Sequence, residues 1–170
     1  RYNARATLDA LAPMALHATV NGTVHTDRHG GGAALQLGAQ ATLQGTLATA
    51  DAQLQLQAQV SPADPTAAAS PAAEPMQAQV QATLAPWAAQ PLQSASTTLR
   101  AVNLAALWPQ APVTQLHGTL QAGPTPGTAA GWSLQTQLQN QLPGPWDQVR
   151  LPLTALEASA SYDGTRWTVP

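Results

Sequence analysis

The chain has 170 residues, of which only 8% are charged, with a formal net charge of −2, 15 Pro, 12 Gly, no Cys and no Phe. An average domain has about 25% charged residues, so the surface here must be polar without being ionic. The balance excludes a basic nucleic-acid footprint, the lack of Cys excludes disulfides and thiolate metal sites, and no apolar run reaches the ~18 residues of a membrane-spanning helix.

In chain order, the predicted strands cover residues 2–10, 15–26, 33–48, 52–60, 76–84, 94–104, 113–122, 132–142 and 154–162, with another starting at 166. The signal is alternation of an apolar or small residue with Gln or Thr. Leu54, Leu56, Ala58 and Val60 are separated by Gln55, Gln57 and Gln59, and the segments 76–84 and 132–138 repeat the scheme. Successive strand side chains point to opposite faces, so each strand has one apolar and one uncharged polar face. Helical spacing of three and four is missing from these windows. One short exception is Val102 to Trp108, which can form a single turn before Pro109 stops it.

Loops separate the strands. The Pro/Ala-rich segment 61–75 lacks periodicity and is expected to be mobile. Within it, Ala67 to Ala69 could form one turn between Pro65 and Pro71. Residues 123–131 form a second loop. His29 to Gly32 is a short turn, and Asp163-Gly164 is a hairpin turn. The first and last residues, Arg1 to Leu8 and Arg166 to Pro170, already alternate. The chain is therefore expected to be one segment, 1–170, of a longer β protein whose targeting segments lie outside it.

Three strands share an internal repeat, apolar-x-Gly-Thr-apolar, centred on Gly22, Gly45 and Gly118. Alternation keeps its phase through each Gly, so each replaces a side chain on the apolar face. The glycine either bends the sheet, leaves room against the backbone, or marks a β-bulge.

A one-sided sheet must cover its apolar face with a second sheet, a helix, a closed barrel or a ligand. No useful amphipathic helix is present, and a face rich in Ala without Phe packs poorly as a sandwich core. The expected architecture is all-β with little helix. It is a long, twisted, curved antiparallel sheet forming an open tube or taco-like groove with an apolar interior, filled by acyl chains. Its lining is expected to be Val20, Val24, Leu35, Leu37, Leu43, Leu47, Leu54, Leu56, Val80, Leu84, Leu116, Leu120, Trp132, Leu134 and Leu138, with Gly22, Gly45 and Gly118 at its bends.

Residues 103–109 followed by Leu116 to Leu120 resemble the repeating grammar of the TamB family. So do Asn140 to Asp147, Arg150 to Leu153, Ala158 to Ala160 and Tyr162 to Trp167. The likeness covers mainly residues 100–170; residues 1–60 share only the alternation and the Gly-Thr repeat. It is similar in kind to AsmA-like and bridge-like lipid transfer proteins. The resemblance implies an open β groove, a periplasmic location in a parent protein anchored in the inner membrane, and a role in outer-membrane biogenesis. It also implies phospholipid as cargo and the outer-membrane barrel TamA as partner, with the membrane anchor outside this segment.

Candidate chemistry is sparse. His25, Asp27 and His29 are the compact set of potential metal ligands, but they run into a triple-Gly turn without a fourth ligand, so no metal site is expected. His17 and His117 fall on polar faces. The carboxylates are scattered, Ser residues lack a nucleophile elbow, and Gly30 to Gly32 precede neither Lys nor helix. No catalytic residues and no cofactor are expected. Trp108 and Trp146 adjoin Pro and are placed at strand ends, Trp132 inside. Three function classes follow in order: a lipid-carrying groove, a structural or adhesive β-rich surface or scaffold protein, and, distantly, an enzyme.

Overall fold

Ten antiparallel strands form one sheet in which spatial order equals chain order. They are β1 (Tyr2–Leu8), β2 (Ala15–Thr26), β3 (Leu35–Thr46), β4 (Leu54–Pro62), β5 (Gln77–Leu84), β6 (Leu92–Val102), β7 (Leu116–Pro124), β8 (Trp132–Asn140), β9 (Ala155–Tyr162) and β10 (Trp167–Thr168). The computed structural model describes residues 1–26, 35–63, 74–108, 110–125, 127–128 and 130–169. The expected turn at His29 to Gly32 and most of the Pro/Ala-rich loop lie outside the described residues, as do Asp27, the helical turn at Ala67 to Ala69 and Pro109.

The sheet is neither closed nor strongly curled. Each strand pairs with its chain neighbours, and β1 and β10 occupy opposite ends of the order without meeting. Closure needs a register stagger that brings the two edge strands together. Here long hairpins stay nearly in step, from Leu16 opposite Gly45 to Thr26 opposite Leu35 in one pair. Of the expected open tube or taco-like groove, the structure has the long antiparallel sheet, open and not strongly curled.

All ten strands appear where alternation places them, with shifted ends. β1 stops at Leu8 because a turn begins, the Asp9 N–H donating to the Ala15 carbonyl and that of Met14 to Leu11. β4 runs past Val60 to Pro62, opposite Leu37, and the Ala63 N–H closes it on the Gln36 carbonyl at 2.7 Å. β6 begins at Leu92, since a register shift beside Thr83 and Leu84 absorbs one residue. β8 ends at Asn140, whose side-chain oxygen accepts from the Leu142 N–H.

Between β6 and β7 the chain makes α1 (Leu104–Leu107), a single turn capped by Asn103, whose Oδ1 accepts from the Ala105 N–H at 3.1 Å. Alongside lies the β8–β9 connection with a 3-10 turn, Trp146–Gln148. This corner holds much of the buried interior: Ala101, Val102, Ala106 and Leu116, with Leu37, Ala52 and Leu54 buried elsewhere. Two polar residues tie it together. Thr114, 2% exposed, donates its hydroxyl to the Val102 carbonyl and accepts from the Leu104 N–H. Asn140 accepts from the Gln115 N–H and donates to the Leu151 carbonyl. Among the described residues no helix is long and apolar enough to cross a membrane.

Candidate functional site: a charge-free apolar sheet face

Register aligns the alternating residues into rows across the sheet. One row runs Ala6, Ala18, Leu43, Leu56, Ala82, Ala95, Ala122, Leu134, Ala160. The next runs Ala4, Val20, Ala41, Ala58, Val80, Thr97, Leu120, Thr136, Ala158. Flanking rows bring together Leu54, Leu84 and Leu92 on one side, and Leu99, Gly118, Leu138 and Leu156 on the other. By strand parity the predicted lining residues within the strands, leaving aside Val24 and Leu35, whose side chains are not among those described, lie on this single face; Leu47 lies just past β3, its N–H donating to the Met14 carbonyl at 3.2 Å.

No charged residue stands on the apolar positions of the strands: Arg5, Arg100 and Glu157 all belong to the opposite parity. Among the described residues no second layer covers the face. Val20 is 45% exposed and Leu134 37%, whereas Leu37, Leu54 and Leu116 are buried; Leu43, Leu56, Val80, Leu84, Leu120, Trp132 and Leu138 are half-buried. Leu92, Leu99 and Leu156 share the face, although the sequence reading left them out.

The polar face carries the mirror pattern. Gln57, Gln81, Ser96, Gln121 and Gln135 form one row, and Gln40, Gln59, Gln79, Thr98, Thr119, Gln137 and Glu157 another. Within these rows the side-chain bond among the described residues is Gln137 Nε2 to Glu157 Oε1 at 2.8 Å. Short Ser94, Ser96 and Ser133 between long glutamines leave an open trough of about 540 Å³. This trough lies on the amide side of the sheet.

The three repeat glycines separate into two kinds. Gly45 has φ +156° and Gly118 φ +152°, in the half of backbone space that L side chains avoid. A Cβ on Gly118 would strike the Gln137 carbonyl oxygen and stand 2.9 Å from the Leu138 Cα; on Gly45 it would strike the Gln53 carbonyl and stand 2.9 Å from the Leu54 Cα. Gly118 also precedes a bulge, since Leu99 faces Gly118 but Val102 faces Leu116, with Ala101 at φ 48°. Gly22 has an ordinary backbone, and a Cβ there would meet the Arg1 oxygen at 3.2 Å.

Among the described residues no three His, Asp or Glu side chains gather as a metal-ligating group; Asp27 and His29 lie outside them. His117 is half-buried on the polar face, its Nε2 4.0 Å from the Glu74 carboxylate and without a hydrogen-bond partner. Asp163 accepts from the N–H groups of Arg166 and Thr165 and the Thr165 hydroxyl, and these bonds hold its carboxyl below the usual range. They build the β9–β10 hairpin. Trp108 and Trp146, expected at strand ends, stand instead in the connections, Trp108 closing α1 and Trp146 opening the 3-10 turn.

No family model, curated protein or solved structure matches the chain.

Proposed function

We propose that this chain is a lipid-carrying segment: the apolar face of the sheet is the floor of an open groove that holds phospholipid acyl chains. The supporting observation is a continuous face across nine strands that bears no charge and, among the described residues, has no protein layer over it. Small residues at Ala41, Ala58, Ala82 and Ala95 leave shallow relief that fluid chains fill without shape complementarity. Each methylene removed from water contributes about 0.8 kcal/mol, so a handful of contacts holds a chain without polar specificity.

The resemblance to the TamB family extends this reading to the parent protein. That protein is anchored in the inner membrane, crosses the periplasm, and delivers phospholipid for outer-membrane biogenesis with the barrel TamA as partner. The glutamine-lined trough favours a second reading, an adhesive or scaffolding surface that binds through its amide face and carries no lipid.

Photo-crosslinking separates the two. With a crosslinking residue at Leu134 or at Gln135, lipid adducts form at Leu134 and not at Gln135. Equal labelling, or none at Leu134, removes the groove and leaves the scaffold. Mass spectrometry of lipid copurifying with the protein gives an independent answer.

A further inference from the structure

All five tryptophans lie at the two rims of the sheet, and none stands between them. Trp87 sits in the β5–β6 hairpin, and Trp132 and Trp167 open β8 and β10 at the same rim. Trp108 follows α1 and Trp146 opens the 3-10 turn at the opposite rim. Trp87, Trp108, Trp146 and Trp167 are 57–65% exposed. Trp87 donates its indole N–H to the Leu47 carbonyl and Trp167 lies against the Tyr162 ring at 5.2 Å, yet each of the four keeps more than half its surface open, where a covered tryptophan buries about 150–250 Å².

An indole with an apolar body and one N–H prefers the level where hydrocarbon meets head groups, which is why tryptophan forms belts at both surfaces of a bilayer. The band between the two rims has the other half of that pattern, being apolar and free of charge. Its height fits as well. β8 has 9 residues; at about 3.3 Å per residue such a strand spans roughly 30 Å, and the hydrocarbon of a bilayer is about 30 Å thick.

We infer that the two tryptophan rims are head-group belts: phospholipids lie on the face with head groups at both rims and acyl chains meeting over the rows between. The inference rests on the lipid-carrying reading and adds the orientation of the cargo. It makes Trp87 and Trp167 on one rim, and Trp108 and Trp146 on the other, the residues that set where each lipid stops.

Tryptophan fluorescence tests it with phosphatidylcholine vesicles brominated either near the carbonyl end or near the methyl end of the chain. The full chain is used in its native form and as Leu120→Trp, which adds an indole at mid-face. The native protein loses fluorescence mainly to the carbonyl-end label, and Trp146→Phe and Trp167→Phe each remove part of that loss. Leu120→Trp adds a component lost to the methyl-end label. Mid-face quenching with unquenched native tryptophans, or with native tryptophans quenched most by the methyl-end label, overturns the belts and leaves the lipid face standing. No quenching at any position overturns both.

Discussion

Replacing Gly118 by Ala tests whether the repeated glycines are structural necessities or spacers. At φ +152° an L residue occupies a region that costs about 1–3 kcal/mol. The new Cβ also drives into the backbone of β8, at the Gln137 carbonyl and 2.9 Å from the Leu138 Cα. That obstacle is a paired strand and cannot rotate away as a side-chain tip would. Overpacking of this sort adds about 1–3 kcal/mol, so Gly118→Ala loses about 2–6 kcal/mol in all. For a chain of this size each kcal/mol lowers Tm by about 2–4 °C, so the drop is at least about 4 °C. Gly22→Ala is the control: its φ is ordinary, its closest contact is 3.2 Å, and the alanine restricts the unfolded chain, so the change stays within about 1 kcal/mol of zero. Urea unfolding followed by far-UV circular dichroism measures both. Equal midpoints for the two variants would refute the assignment of different roles to glycines that share one sequence motif.

Thr114→Val keeps the shape but leaves the Val102 carbonyl and Leu104 N–H without their partner, and it destabilises the corner by about 1–3 kcal/mol; Thr114→Ser restores most of it in the same melt. The β9–β10 hairpin loosens in acid. The folded-state pKa of Asp163 is depressed, so its contribution is fully present above the ordinary value of about 3.8 and is lost as pH falls through the lowered one; the protection of the Arg166 amide, its intrinsic exchange rate divided by the observed one, falls over that range, and in Asp163→Asn this protection no longer depends on pH there. Leu134→Arg places a charge on the apolar face and reduces the amount of copurified lipid, whereas Gln135→Arg, one residue away on the amide face, leaves it unchanged.

The sequence by itself determined the strands, the faces and the sign of each face. Alanine is a poor strand former, yet Ala and Gln fill these strands, because a strict period of two has only one secondary structure that separates its apolar from its polar members. The same parity argument placed Val20, Leu56, Leu120, Leu134 and their companions on one side, and the structure's register brings them into common rows. It failed where the register slips: one extra residue near Leu84 hides Leu92, and another before Val102 hides the end of β6, because a bulge erases the phase that parity depends on.

Only the tertiary structure decided the rest. Which glycines are obligatory depends on how closely the next strand approaches, so Gly45 and Gly118 part from Gly22 despite an identical local pattern. The Thr114 and Asn140 corner joins residues far apart in the chain through hydrogen bonds that leave no periodic trace. Whether the sheet closes is likewise non-local, since it depends on stagger summed over ten strands. The sequence reading expected a long antiparallel sheet shaped as an open tube or taco-like groove; the sheet is there, open and not strongly curled, with a trough on its amide face.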